Sequence, residues 1–182
     1  VYAHADYVTL NISSPNTPGL RALQDEAPLA ALLGALKKEQ ALLARTHDRH
    51  VPIALKIAPD LDDTGIDVIA RLLVAHHMDA VIATNTTIAR PGLEHEPRAR
   101  ETGGLSGQPL RALSTQVIRR LHASLQGRIP IIGVGGISDA NDAWEKLVAG
   151  ADLIPLYTAF IYRGPGVVSE IGRGLVEKVR AY

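Results

Sequence analysis

Residues 131–138 read Ile131-Ile132-Gly133-Val134-Gly135-Gly136-Ile137-Ser138, an apolar β-rich run that breaks into glycines and then into a helix start. Glycine lets the backbone approach a ligand closely, and free N–H groups at a helix N-terminus favour phosphate. The spacing is not the dinucleotide pattern G-x-G-x-x-G, which argues against a nicotinamide reader. A tight βα turn that needs positive φ accounts for the same glycines, so the motif alone leaves both readings open.

Outward from this stretch the same rhythm recurs five times. Residues 7–12 precede an amphipathic segment over 28–46, where Leu29, Leu32, Leu33, Leu36 and Leu43 share one helical face. Residues 51–57 precede a helix capped by Asp62, with Ile66, Ile69, Ala70 and Leu73 at helical spacing. Residues 80–83 lead through a polar, Pro- and Gly-rich loop into a helix over 109–125, striped by Leu110, Leu113, Val117 and Leu121. Residues 129–134 precede a short helix from Ser138 that stops at Gly150. Residues 153–160 form the fifth apolar run, before a last helix carrying Val168, Ile171, Leu175 and Val179.

Strict βα alternation implies a parallel sheet, because parallel neighbours need a crossover helix. Polar or glycine residues follow every strand: Asn11 to Asn16, Lys56 and Asp60, Thr84 to Thr87, Gly133 to Gly136, and Tyr157 with Thr158. In a (β/α)8 TIM barrel those ends converge on one mouth, whereas an open sheet spreads them along an edge. The fold class expected is therefore α/β, a TIM barrel represented by about its last five βα units. Residues 1–182 form the C-terminal part of one domain, and the chain opens on Val1 rather than Met, as a piece of something longer does. The glycine turn then follows the penultimate strand, and loops after the last two strands of such barrels often hold phosphate.

Composition narrows the function classes. The 182 residues are 46% hydrophobic and 21% charged, with 19 Lys plus Arg against 19 Asp plus Glu, an ordinary globular balance without whole-chain attraction to nucleic acid. With no Cys, disulfides, thiolate metal sites and cysteine nucleophiles are excluded. No apolar stretch reaches the ~20 residues of a spanning helix, and no signal peptide is visible. The seven His are scattered without metal-ligand spacing, so no metal site is expected. The charges from Arg90 to Arg100 read as a solvated loop, and Trp144 as packing.

Three further features carry chemistry. Asn11-Ile12-Ser13-Ser14-Pro15-Asn16 packs two amides and two hydroxyls into six residues, and Pro15 biases Ser14 toward extended geometry. An Asx or ST turn that ends the strand explains the same residues, and composition alone favours the turn. Thr84-Asn85-Thr86-Thr87 invites the same pair of readings. Lys56 interrupts the apolar strand Ile53-Ala54-Leu55-Lys56-Ile57-Ala58; a desolvated ammonium is costly, so it needs an anionic or electron-rich partner unless it reaches solvent.

Taken together these segments resemble the class 2, quinone-dependent dihydroorotate dehydrogenases. The resemblance rests on residues 11–21, on Lys56-Ile57-Ala58-Pro59-Asp60, on Ala83-Thr84-Asn85-Thr86-Thr87, on Thr102-Gly103-Gly104-Leu105-Ser106-Gly107, on Gly133-Val134-Gly135-Gly136-Ile137 and on Tyr157. It implies FMN in the barrel and oxidation of dihydroorotate to orotate, with a quinone as final electron acceptor. Ser14 is then the general base, and the serine itself points to the quinone class, since soluble classes carry Cys there. Asn11, Asn16, Asn85 and Thr86 hold the substrate. Asn11, Lys56, Thr84, Gly107, Gly136, Tyr157 and Thr158 hold FMN, the Tyr157 and Thr158 amides facing its phosphate. The resemblance also implies a parent at the cytoplasmic side of the cell membrane, attached through N-terminal helices outside these residues, and no nucleic-acid partner. Pro155 departs from the family, which commonly has Gln there, and the family's first half, with its early strands, is not in this sequence. Two rivals stand beside this expectation: another FMN barrel oxidoreductase acting on a different ring, and a noncatalytic fragment that pairs with its missing half.

Overall fold

A computed structural model describes residues 1–90, 92–93 and 95–182. Four short strands, β1 (Val8–Asn11), β2 (Ile53–Ile57), β3 (Ala80–Ala83) and β4 (Ile131–Gly133), pair in parallel in the order of the chain. Between and after them run α1 (Glu26–His47), α2 (Asp63–Ala75), α3 (Arg111–Leu125), α4 (Ala140–Val148), α5 (Thr158–Arg163) and α6 (Gly166–Ala181). Sequential order decides between the two architectures the alternation allows. A doubly wound sheet reverses its order at a switch point, whereas a barrel adds each strand beside the last. The chain is a partial (β/α) barrel.

Alternation along the strands divides the sheet. Ile53, Leu55 and Ile57, with Val81, Ala83 and Ile131, pack outward against Leu29 and Leu33 of α1, Ile66, Ile69 and Leu73 of α2, and Val117, Ile118, Leu121 and Leu125 of α3. Each large side chain so buried contributes about 1.5–3 kcal/mol, which makes this the principal core. A smaller cluster joins Ile137 and Ala143 to Ala159, Val167 and Ile171. On the inner side, Tyr7, Ala54, Ala80, Ile132 and Leu153 line an apolar hollow of about 440 Å³. Asp62 caps α2 as expected, accepting the Gly65 N–H at 2.8 Å.

Two expectations need correction. The fifth strand over 153–160 does not form: Leu153 makes one parallel bridge to Ile132, and Thr158–Arg163 is helical. Pro155 offers no N–H to continue a ladder, and a short apolar run does not by its periodicity distinguish strand from helix. In α6 the buried residues are Val167 and Ile171, while Val168 is 53% exposed and Val179 is 63% exposed.

Two further edges bear on behaviour. Among the described residues, β1 has a hydrogen-bonded neighbour only on its β2 side, and β4 has beyond it a single bridge. Unpaired strand edges beside an apolar hollow promote association. Residues 1–182 expressed alone are therefore expected to self-associate in sedimentation velocity; a monodisperse monomer refutes this.

Candidate active site

The register levels the strand ends: Asn11 pairs with Lys56, Lys56 with Ile82, and Ala83 with Gly133. Backbone bonds continue past the strands, with Thr84 N–H donating to Val134 O at 3.0 Å and Asn85 N–H to Ile57 O at 2.8 Å. The four loops consequently start side by side. Above them lies a cleft of about 140 Å³, open toward solvent.

All six residues expected to touch a cofactor besides Asn11 line this cleft: Lys56, Thr84, Gly107, Gly136, Tyr157 and Thr158. Asn85 and Thr86 line it too. Tyr157 and Thr158 reach it although Pro155 precedes them, because α5 starts at Thr158. Lys56 is partly buried and, among the described residues, has no hydrogen-bond or ion-pair partner; burial pulls its ammonium below the ordinary lysine range. The N–H groups of Gly136 and Ile137, both buried residues, likewise have no partner among the described residues. Orphan buried amides are rare, and amides grouped in a glycine turn suit an anion. Gly136 is required sterically as well as at φ 71°, since a Cβ there would lie 2.5 Å from Arg111 Cβ.

The polar cluster expected to hold substrate sits at the β1 and β3 tips. Asn85 Nδ2 donates to Asn11 Oδ1 at 3.2 Å and to Ser13 Oγ at 3.1 Å, and Thr86 N–H donates to Asn85 Oδ1 at 2.8 Å. Asn85 thus organises its neighbours, while the Nδ2 of exposed Asn11 has no partner among the described residues. Ser14 Oγ accepts the Asn16 N–H at 3.2 Å, the ST turn that the sequence also allowed. No carboxylate or imidazole bonds to Ser14 among the described residues; an N–H aimed at a hydroxyl oxygen favours its deprotonated form. Asn16 is exposed beside the 102–107 loop, whose Gly104 backbone lies so near Thr86 that a Cβ would fall 1.8 Å from its Oγ1.

The sequence reading missed the residues that hold these loops. Arg21 donates to Ser13 O at 3.1 Å, to Asp60 at 2.8 Å and to Thr86 O at 3.1 Å, tying three strand ends together. Arg90, expected in a solvated loop, instead donates to the carbonyls of Thr87, Ile88, Ala89, Ala99, Glu101 and Gly103. Lys146 and Asp142 are buried behind the glycine turn. No local pattern distinguishes Arg21 and Lys146 from surface charges, because their partners lie 8 to 65 positions away along the chain.

The family model for dihydroorotate dehydrogenase matches residues 1–179. The chain belongs to the dihydroorotate dehydrogenase family. A Thiobacillus denitrificans protein named dihydroorotate dehydrogenase (quinone) is 60% identical over 170 residues, covering 93% of this chain and 50% of that protein. One of the same name from Chromobacterium violaceum is 57% identical over 181 residues, covering 100% of this chain and 53% of its own length. Among solved structures, DHODH from Eimeria tenella in complex with ferulenol superposes with a TM-score of 0.93 at 36% identity, covering 100% of this chain and 52% of that one. The chain spans about half the length of these family members.

Lys56 provides a test of the cleft's electrostatics. Its folded pKa is lowered, so the folded chain binds this proton less tightly than the unfolded chain. The ammonium therefore opposes folding at about pH 7, and the penalty fades as pH rises toward the ordinary lysine range of about 10. Lys56→Met is expected to melt no lower than the parent at about pH 7 and to lose part of the rise in stability toward about pH 10. Thermal unfolding at both pH values checks this; a variant that melts lower at neutral pH contradicts it.

Proposed function

We propose that this chain is the C-terminal, FMN- and substrate-binding part of a quinone-dependent dihydroorotate dehydrogenase, which oxidises (S)-dihydroorotate to orotate. The observation that carries the proposal is one cleft holding an unpartnered ammonium, Lys56, and two unpartnered buried amides, Gly136 and Ile137, beside the Asn11, Ser14 and Asn85 cluster. Family membership and the names of its relatives support the same reading. The half-length match and the open inner face support a domain whose earlier barrel strands lie in a preceding segment.

The donor set fits a flavin mononucleotide. The family is flavin-dependent, and the cleft supplies what a phosphorylated ring cofactor needs: amides for an anion, a cation, and an apolar floor from Leu110, Val134 and Leu156. Gly136 and Ile137 amides, with Gly107, Tyr157 and Thr158, would hold the phosphate end. Lys56, Thr84 and Asn11 would hold the ring. FMN held there would supply a hydride acceptor for the substrate and a route for its electrons to a quinone.

The remaining steps belong to the chain. Asn11, Asn16, Asn85 and Thr86 orient the substrate's carbonyl and N–H groups, Asn85 largely by holding Asn11 and Thr86 in place. Ser14 Oγ takes the C5 proton as its own hydroxyl proton passes to solvent water, so that one proton and one hydride leave adjacent carbons and the C5–C6 double bond forms. The Asn16 N–H stabilises the negative charge that develops on this oxygen as its own proton leaves. Arg21 keeps Ser13, Asp60 and Thr86 at fixed separation, which preserves the geometry that proton transfer needs. No described helix is long and apolar enough to cross a membrane. Attachment at the cytoplasmic side of the cell membrane and access to the quinone are proposed for the preceding segment.

In the complete gene product, Ser14→Ala is expected to slow single-turnover flavin reduction by dihydroorotate by about 10²-fold or more, with flavin still bound. Unchanged reduction removes Ser14 from the role. Reduction by dihydrouracil but not dihydroorotate redirects the proposal to a different ring, and absence of flavin absorbance in the purified protein refutes the cofactor.

A further inference from the structure

Behind the glycine turn, on the side away from the cleft, sits a charged cluster that the proposed chemistry does not use. Lys146 of α4 is fully buried, and its nearest partners are not carboxylates. Its Nζ donates to Ser114 Oγ at 2.5 Å, to Thr115 Oγ1 at 2.6 Å and to Arg111 O at 2.8 Å, so all three ammonium donors are used inside the protein. Both hydroxyls accept from the ammonium and must direct their own hydrogens elsewhere. Thr115 Oγ1 donates to Arg111 O at 2.9 Å; Ser114 Oγ lies 3.1 Å from Gly135 O and 3.2 Å from Arg111 O, and since Arg111 O already accepts from Lys146 and Thr115, the Ser114 hydrogen goes to Gly135 O.

That last bond fixes a direction. The carbonyl of Gly135 and the N–H of Gly136 belong to one peptide group, which is trans, so they point opposite ways. Holding the carbonyl against Ser114 on α3 turns the Gly136 N–H away from α3. The next peptide is held more weakly: Gly136 O lies 3.3 Å from Gln108 Nε2, whose nearer acceptors are Ser138 Oγ and buried Asp142, both at 2.8 Å. Each of these two peptide groups carries an N–H that has no partner among the described residues.

We propose that Lys146 is a positioning residue for phosphate recognition: acting through Ser114 on the Gly135 carbonyl, it aims the Gly136 amide at the phosphate of the cofactor. The inference rests on the FMN reading above and deepens it. Lys146 does not touch the cofactor. Its burial lowers the ammonium pKa to about 8, a cost that a residue serving packing alone, replaceable by Met, has no reason to carry.

The test uses the complete gene product after release of its flavin, titrated with FMN and with riboflavin, which lacks the phosphate, and followed by flavin fluorescence. Lys146→Met is expected to weaken FMN binding by about ten-fold or more while riboflavin affinity holds, so the preference for FMN collapses. Ser114→Ala is expected to do the same, and the double variant to be little worse than either single one, because both act on one carbonyl. If Lys146→Met fails to fold, Ser114→Ala decides by the same criterion. Retained preference for FMN in the folded variants, or an equal loss of FMN and riboflavin affinity, overturns the role of Lys146. A parent protein that binds both flavins without preference refutes phosphate recognition itself, and with it both this inference and that part of the FMN reading.

Discussion

Parallel pairing of Asn11 with Lys56 and of Ala83 with Gly133 ends the four strands at one level, and each strand then leaves backbone groups that the ladder no longer satisfies. Those groups are met by the first residues of the neighbouring loops, as when the Asn85 N–H bonds Ile57 O and the Thr84 N–H bonds Val134 O. The loops are stitched to the sheet before any side chain is considered. Polar residues at the strand tips are thereby fixed in space, and a shared opening follows from the ladder geometry.

Polar groups on the two sides of the glycine turn are treated in opposite ways. Behind it, Lys146, Asp142, Gln108 and Ser114 satisfy one another and the turn's carbonyls. In front, Lys56 and two buried amides have no partner among the described residues. Burial normally forces polar groups to pair, so a rigid, satisfied backing that presents unsatisfied donors into a cleft is the arrangement expected of a preorganised anion site. Arginines follow the same economy, with Arg21 and Arg90 directed mainly at backbone carbonyls that set loop shape.

Much of this was legible in the residues. Apolar spacing located every strand of the sheet, and polar strand tails pointed to a barrel mouth. The quoted motifs also identified the family before any geometry was known. The failures are instructive. Residues 153–160 look like a strand because they form a short apolar run with aromatic and β-branched residues, which favour strands, but Pro155 offers no N–H to a ladder and the run becomes one bridge and the start of a helix. Val168 matches the helical stripe of α6 as well as Val167 does, and only the position of α4 and α5 decides which one is buried.

Local chemistry by itself determined the βα rhythm, the capping of α2 by Asp62, the need for glycine in the turn after β4, and the oddity of a lysine within an apolar strand. Those properties depend on backbone sterics and on the cost of desolvating a charge, both readable within a few residues. Tertiary structure alone decided that Arg21 joins three loops, that Asn85 serves its neighbours first, and that Lys146 lies buried behind Gly135 rather than on a helix surface. The physical reason is that a hydrogen bond is set by distance in space, and each of these side chains meets a partner 8 to 74 positions away along the chain.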